Sequence, residues 1–412
     1  MRRLILPVVV VLSCGAAIAQ VFVGTERVSE PIAKSMRAAS PAPAVAMARD
    51  RAGVAIAWSA AVDGVERIFV RRLETGAQAA GAITMLPASS SLLDAHSPSI
   101  AAAPNGDGFI VTWLETAPQK DATSAALYCR LDSALRPSTA NVLMLFLPAG
   151  LPAPLVRSND STWIAAGPRL WHVRNDGVLD RMTDLPFAPA SMTIADTPQL
   201  VTVRDDVVAT TRSCVSDNTC KAMGGSAFGG CPPFLGGFRV CDVPIRANRL
   251  HFFAAGQPQE MTLQFDFRGS SDDAAIASNG RDTLVASFAG AQNSGGDVIV
   301  SHVDATSFQP FSRRQVVGTI APHDESTRPD VAADEQRCII VWRDGNDIAG
   351  AALDRDGRVT PLPIPSTASV ERNPSVIALA KDLFVIAYEK VDGDRRFIAW
   401  RIVSFATRRR LT

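Results

Sequence analysis

Apolar residues in this chain fall in short runs of strand length, broken every eight to twelve residues by polar turns. One pattern recurs: a Pro, a short Ala-rich run, a polar turn, then a continuous apolar run that reaches an aromatic. It runs from Pro43 to Trp58, from Pro98 to Trp113, from Pro329 to Trp342 and from Pro374 to Tyr388. A fifth copy, Asp273 to Phe288, has Asp in place of Pro, and weaker copies begin at Pro154 and near Pro189. After each copy come a polar loop and a third apolar run, such as 68–73, 126–131, 298–303, 348–353 and 397–403. A fourth follows in most, near 82–87, 140–147, 178–184, 260–267, 314–320 and 358–364. Four short strands cannot bury both faces of a sheet, so each unit needs its neighbours. Such units at intervals of some 35 to 56 residues predict the blades of a β-propeller.

The strand chemistry fits that reading. First strands crowd around the propeller axis and need small side chains, as in AVAMA, SIAAA and DVAA. Second strands lie between neighbouring blades and need to be apolar on both faces, as in VAIAW, FIVTW, CIIVW and FVIAY. Seven starts predict an all-β fold with a single seven-bladed β-propeller. The long stretch from Pro189 to Asp273 leaves an eight-bladed alternative. The last blade runs out of chain after its third strand, and Phe22–Ser29 supplies the missing fourth. The ring is then closed by the N-terminal strand, with no open edge.

Residues 1–19 read as a signal peptide: Arg2 and Arg3, the apolar run 4–12, then Ala17-Ile18-Ala19 before a mature start at Gln20. The alternative is a lipobox, Val11-Leu12-Ser13-Cys14, with Cys14 as the possible lipidation site. The propeller then occupies 20–412, and the expected location is exported: periplasmic or extracellular, as a free protein or a lipoprotein. Membrane contact is expected only through that lipid. Four of the other six cysteines, Cys214, Cys220, Cys231 and Cys241, sit in a Gly- and Pro-rich insertion at about 214–241 in the fourth blade. Two disulfides stapling that loop are expected, with three connectivities open. A four-Cys zinc site is the alternative, but the spacings lack paired CxxC knuckles. Cys129 and Cys338 fall in non-adjacent blades and read as buried thiols.

Composition adds exclusions. With 41 basic and 41 acidic residues the chain lacks the surplus positive charge that nucleic-acid binding needs. Hydrophobic residues at 47% make it core-forming. No P-loop, GxSxG elbow or paired-His motif is present, so no cofactor, metal or catalytic residue is assigned.

The composite pattern P-x-(I/V)-A, (F/V)-x-V-x-W, LD-x-DG resembles repeats of uncharacterised exported bacterial β-propeller proteins. It departs from WD40 repeats and lacks well-formed Asp-boxes. The resemblance implies fold and export, and brings no catalytic residues. Polar residues after the strand-ending aromatics and between blades mark a candidate ligand face: Asp94, His96, Glu115, His323, Arg328, Asp344, Glu371, Arg372 and Glu389. The bland reading of these residues is that they fill solvent loops. The expected function is a binding or scaffold module of the cell envelope, a monomer with a protein or glycan ligand. The alternative is a carbohydrate-active hydrolase or lyase using acids at the channel mouth.

Overall fold

The computed structural model describes residues 19–24, 26–29, 45–73, 79–117, 123–147, 154–158, 162–166, 169–184, 199–203, 206–214, 246–254, 257–261, 273–279, 283–289, 296–304, 315–320, 329–393 and 395–407. These residues form seven antiparallel sheets. Sheet one comprises Val45–Asp50, Gly53–Val62, Val65–Leu73 and Ala79–Met85. Sheet two comprises Asp94–Ala102, Phe109–Thr116, Ser124–Leu131 and Val142–Leu147. Sheets three, four and five begin at Leu155–Ser158, Gln199–Val203 and Asp273–Ser278. Sheet six comprises Asp330–Ala333, Arg337–Asp344, Asp347–Asp354 and Val359–Pro361. Sheet seven comprises Val370–Ala380, Leu383–Asp392 and Arg395–Thr407. The first strand of each sheet contacts that of the next, and the first strand of sheet seven contacts that of sheet one.

Local chemistry sets the hairpins. Asp63-Gly64 joins the second and third strands of sheet one with φ of 50° and 80°, the two-residue turn that matches strand twist. The outer strand of sheet six is Val359–Pro361, short of the expected 364. Leu362 N still donates to Gly350 O at 2.9 Å, and Pro363 then has no N–H to carry the ladder on. The outer strand of sheet four is described over Gln257–Met261, beginning three residues before the expected 260; residues 262–267 lie outside the described residues. Its register follows from Ala254 pairing with Gln257 across a two-residue connection.

Second strands hold the sheets together. Phe109–Thr116 is buried at every position, as a strand enclosed on both faces must be. Each aromatic packs back onto the preceding sheet. Trp113 meets Ile68 and Val70 of sheet one, and Trp342 meets Val298 and Val300 of sheet five. Trp58 meets Val385 and Ala387 of sheet seven, and Tyr388 meets Val341 and Ile348 of sheet six. A Cβ on Gly318 of sheet five would lie 2.3 Å from Trp342, so glycine is the residue that admits the indole.

Acids at the hairpin turns staple neighbouring sheets. Asp50 caps its own turn through Ala52 N and Gly53 N, and also accepts from Gly108 N of sheet two at 3.1 Å. Arg72 pairs with the same carboxylate at 2.8 Å. Burial works to raise the Asp50 carboxyl, but Arg72 and the backbone donors outweigh it and hold it low. Asp334 repeats the device, accepting from Gln336 N and Arg337 N and, at 2.7 Å, from Asp382 N of sheet seven. Along the first strands, Ser99 Oγ accepts from Val156 N, and Asp330 Oδ2 accepts from Val376 N.

The N-terminal segment joins sheet seven, as two short strands rather than one. Ala19–Val23 pairs with Val403–Thr407, and Arg27–Val28 pairs with Ala399 and Trp400. Glu26, between them, accepts from Tyr388 Oη at 2.5 Å and from Arg401 Nη2 at 3.3 Å, and pairs with Lys390. Cys129 and Cys338 are buried in sheets two and six; the Cys338 thiol donates to Leu353 O at 3.7 Å, and burial pushes its pKa well up.

Candidate functional site

The end of each sheet where the second strand turns into the third carries the described candidate residues. Its geometry follows from strand length. Sequence pattern ends the second strands at the aromatic, but the ladders continue: to Val62 past Trp58, to Thr116 past Trp113, to Asp344 past Trp342 and to Asp392 past Tyr388. The acids after the aromatics are therefore strand residues, and most turn inward.

Sheet two holds three of the candidate residues. Glu115 is buried, and its carboxylate accepts from Ser89 N at 3.0 Å, from Ser89 Oγ, and from Trp113 Nε1 at 3.2 Å. Asp94 Oδ1 accepts from Glu66 N of sheet one at 3.0 Å. His96 is buried, with Nδ1 2.9 Å from Ser97 Oγ and Nε2 3.0 Å from Thr116 Oγ1, which in turn meets Ser124 Oγ at 2.7 Å. Each of these groups ties strands or sheets together.

Sheets six and seven hold the others. Glu371 is wholly buried; its carboxylate accepts from Ile348 N of sheet six at 3.3 Å and from Thr367 Oγ1 at 3.0 Å. Burial raises this carboxyl above its ordinary range, further than those two donors bring it down. Asp344 ends the second strand of sheet six, half-buried. Arg372 and Glu389 are the two candidates that the structure brings together, with Arg372 Nη2 2.9 Å from Glu389 Oε1. Asn373 Nδ2 donates to Glu389 Oε2 at 3.0 Å, and Arg396 Nε lies 2.6 Å from Oε1. Arg396 also donates from Nη1 to Ser59 O of sheet one at 2.9 Å. Burial acts to raise Glu389, but Arg396 and Arg372 outweigh it and hold the carboxyl below the usual range.

Sequence reasoning missed Arg396, Ser59 and Glu26. Arg396 carried a signal: it lies two residues before Ile398 and four before Trp400, on the row that faces sheet one. Among the described residues no group of three or more His, Cys, Asp or Glu is placed to hold a metal ion. His323 and Arg328 lie outside the described residues, as do Cys14, Cys220, Cys231 and Cys241. Cys214 is the last residue of the second strand of sheet four and pairs with Arg246 of the third. Cys214 and Arg246 lie at the same end of the sheets as the candidate residues, and the residues between them lie outside the described ones.

No protein-family model matches the chain, and no curated protein matches it. Solved structures do. A protein of unknown function from Dyadobacter fermentans aligns with a TM-score of 0.51 at 10% identity, covering 94% of this chain and 99% of that one. Virginiamycin B lyase from Staphylococcus aureus aligns at 0.50 and 11% identity, with 94% and 99% coverage. A chain of S. cerevisiae core factor aligns at 0.52 and 9% identity, covering 96% of this chain and 63% of its own. At such identities the likeness is one of fold: this chain is all-β and similar to β-propeller proteins.

Proposed function

We propose that this chain is an exported seven-bladed β-propeller, closed by its N-terminal strand, that serves as a binding or scaffold module of the cell envelope. The contacts between successive first strands support the blade count and the closure. One observation carries the functional reading: Glu115 and Glu371, acids a hydrolase or lyase would aim into the channel, are buried against backbone N–H groups of neighbouring segments. A carboxylate held in that way joins sheets and has no open side for a scissile bond. The lyase likeness contributes fold alone. The partner is a protein or glycan met by the loops at that end, with the cysteine-bearing connection as the most distinctive one.

Expression of the full chain in a Gram-negative host, followed by fractionation and mass spectrometry of the mature N-terminus, tests export. A start at Gln20 in the soluble periplasm is expected. A lipid-modified Cys14 in the membrane fraction, lost in Cys14→Ala, selects the lipoprotein form, and full-length protein in the cytosol overturns both. Binding is tested by cross-linking in the envelope with and without residues 215–240. Loss of a defined cross-linked partner on deletion supports the module reading; an unchanged partner profile counts against that loop.

A further inference from the structure

We propose that leader cleavage must precede docking of the N-terminal strand on sheet seven, because the bond to be cut lies inside that strand. The leader is expected to end at Ala19, with the mature start at Gln20. The docked strand is Ala19–Val23, so both sides of the bond belong to it. Ala19 is paired with Thr407 and Gln20 with Ala406, and the ladder runs on unbroken to Val23 and Val403. A peptidase takes its substrate as open chain, so cleavage of a folded protein tracks how often the segment comes free. The alternative lipoprotein cut, before Cys14, falls outside the docked strand and carries no such conflict.

A clasp holds the strand once it is down. Five residues paired along one side only are weakly held by themselves. Glu26 adds a shared carboxylate, taking Tyr388 Oη at 2.5 Å and Arg401 Nη2 at 3.3 Å and pairing with Lys390. Arg401 ties the clasp to the backbone: its Nε donates to Tyr388 Oη at 3.0 Å and its Nη1 to Gly24 O at 3.4 Å. Gly24 N donates to Ile402 O at 2.7 Å and Ser29 N to Ile398 O at 2.8 Å, one on each side of Glu26. Tyr388, Lys390 and Arg401 lie on strands that pair with each other, so the receiving side needs nothing from the N-terminal segment. Cleavage adds water across the Ala19–Gln20 amide, the hydroxyl going to the Ala19 carbonyl carbon and the proton to the Gln20 nitrogen. Only the pairing of Ala19 with Thr407 is lost. Gln20 to Val23, Glu26 and Arg27–Val28 all remain to dock.

This inference rests on the signal-peptide reading and adds an order of events to it. Full-length precursor in urea is diluted into detergent micelles, and a bacterial signal peptidase is added either at once or after folding is complete. Cleavage between Ala19 and Gln20 is expected when the enzyme is present at dilution, and at least about tenfold slower in precursor folded first. Equal rates overturn the proposal. Precursor left uncut under both conditions overturns the signal-peptide reading itself, and the inference with it, so the two failures are told apart. Glu26→Gln keeps the shape of the side chain and removes its charge, and is expected to speed cleavage of the folded precursor. Tyr388→Phe removes one donor to Glu26 and is expected to act in the same direction, more weakly. Near-ultraviolet circular dichroism checks that each variant folds, and if Glu26→Gln does not, Tyr388→Phe decides. A slow rate unchanged in the folded variants overturns the role of the clasp.

Discussion

Sheets one and two present the same strand, the same tryptophan and the same packing onto the sheet before, yet only sheet two completes its polar bookkeeping. There the residue two places after the tryptophan is Glu115, and its carboxylate collects an indole N–H and a backbone N–H. In sheet one that residue is Ala60, and the indole N–H of Trp58 goes unanswered. Sheet six is intermediate: Asp344 stands two places after Trp342, and Trp342 Nε1 is again without an acceptor. One methylene separates Asp from Glu. The repeat thus fixes the apolar frame in every copy, while polar completion is decided sheet by sheet.

The largest expected effect is at Glu389, the buried carboxylate that Arg372 and Arg396 both meet. Glu389→Gln removes the carboxylate that Arg372 and Arg396 both approach, and Arg396 is 1% exposed. Removing one partner of a buried pair costs about 3 kcal/mol or more, read as a drop in urea-unfolding free energy at pH 7. The sign with pH follows from the lowered carboxyl of Glu389. Its contribution is present above the unfolded value of about 4.3 and is lost as pH falls through the lower folded value. The wild type's advantage over Glu389→Gln is therefore expected to hold from pH 7 to about 5 and to shrink below about 4. An advantage that stays constant down to pH 2 would show that Glu389 acts through packing alone. Asp50 and Glu26, also lowered, contribute with the same sign in both proteins and cancel in the difference.

Next in size is the conversion of sheet two into the state of sheet one. Glu115→Ala strands Trp113 Nε1 in the interior, while exposed Ser89 can turn its N–H to water. Orphaning a buried donor costs about 1–3 kcal/mol, so a loss of about that size is expected in chemical denaturation. Trp113→Phe removes one donor beforehand, and the double variant with Glu115→Ala is expected to lose less than the two single losses added. Strict additivity would mean that the indole–carboxylate bond contributes nothing.

The frame of the molecule was legible in the sequence because its causes are periodic. Small first strands, doubly apolar second strands and the outlying Phe22–Ser29 segment each repeat or complete a pattern. The orientation of the acids was not legible, because sequence alone places a polar residue after an aromatic in a loop. Glu115 and Glu389 lie instead on strands that run past their aromatics. Glu115 takes Ser89 from the segment before sheet two, and Glu389 takes Arg372 and Arg396 from the strands on either side of it in sheet seven. The first pairing depends on how one sheet leads into the next, a fact that no single repeat contains. Ala60 was silent for a related reason: an alanine in an apolar run draws notice only when aligned with Glu115 by register.

The smallest expected effect is the most discriminating. Asp344→Glu lengthens the side chain in sheet six by the methylene that separates it from Glu115, and brings a carboxylate within reach of the indole N–H of Trp342. Trp342 is already buried, at 3% exposure, so no packing needs to form to gain the bond. A hydrogen bond to a charged acceptor would contribute about 1.5–3 kcal/mol in full. The ordering of a longer side chain and the loss of the contacts Asp344 now makes offset part of it. A net gain of about 0.5–1 kcal/mol in unfolding free energy is expected, with a shift of tryptophan near-ultraviolet circular dichroism confined to one indole. Trp342→Phe in the same background removes the donor and should erase that gain. If the gain survives without the donor, it comes from charge or helpful packing elsewhere, and the third term of the comparison falls.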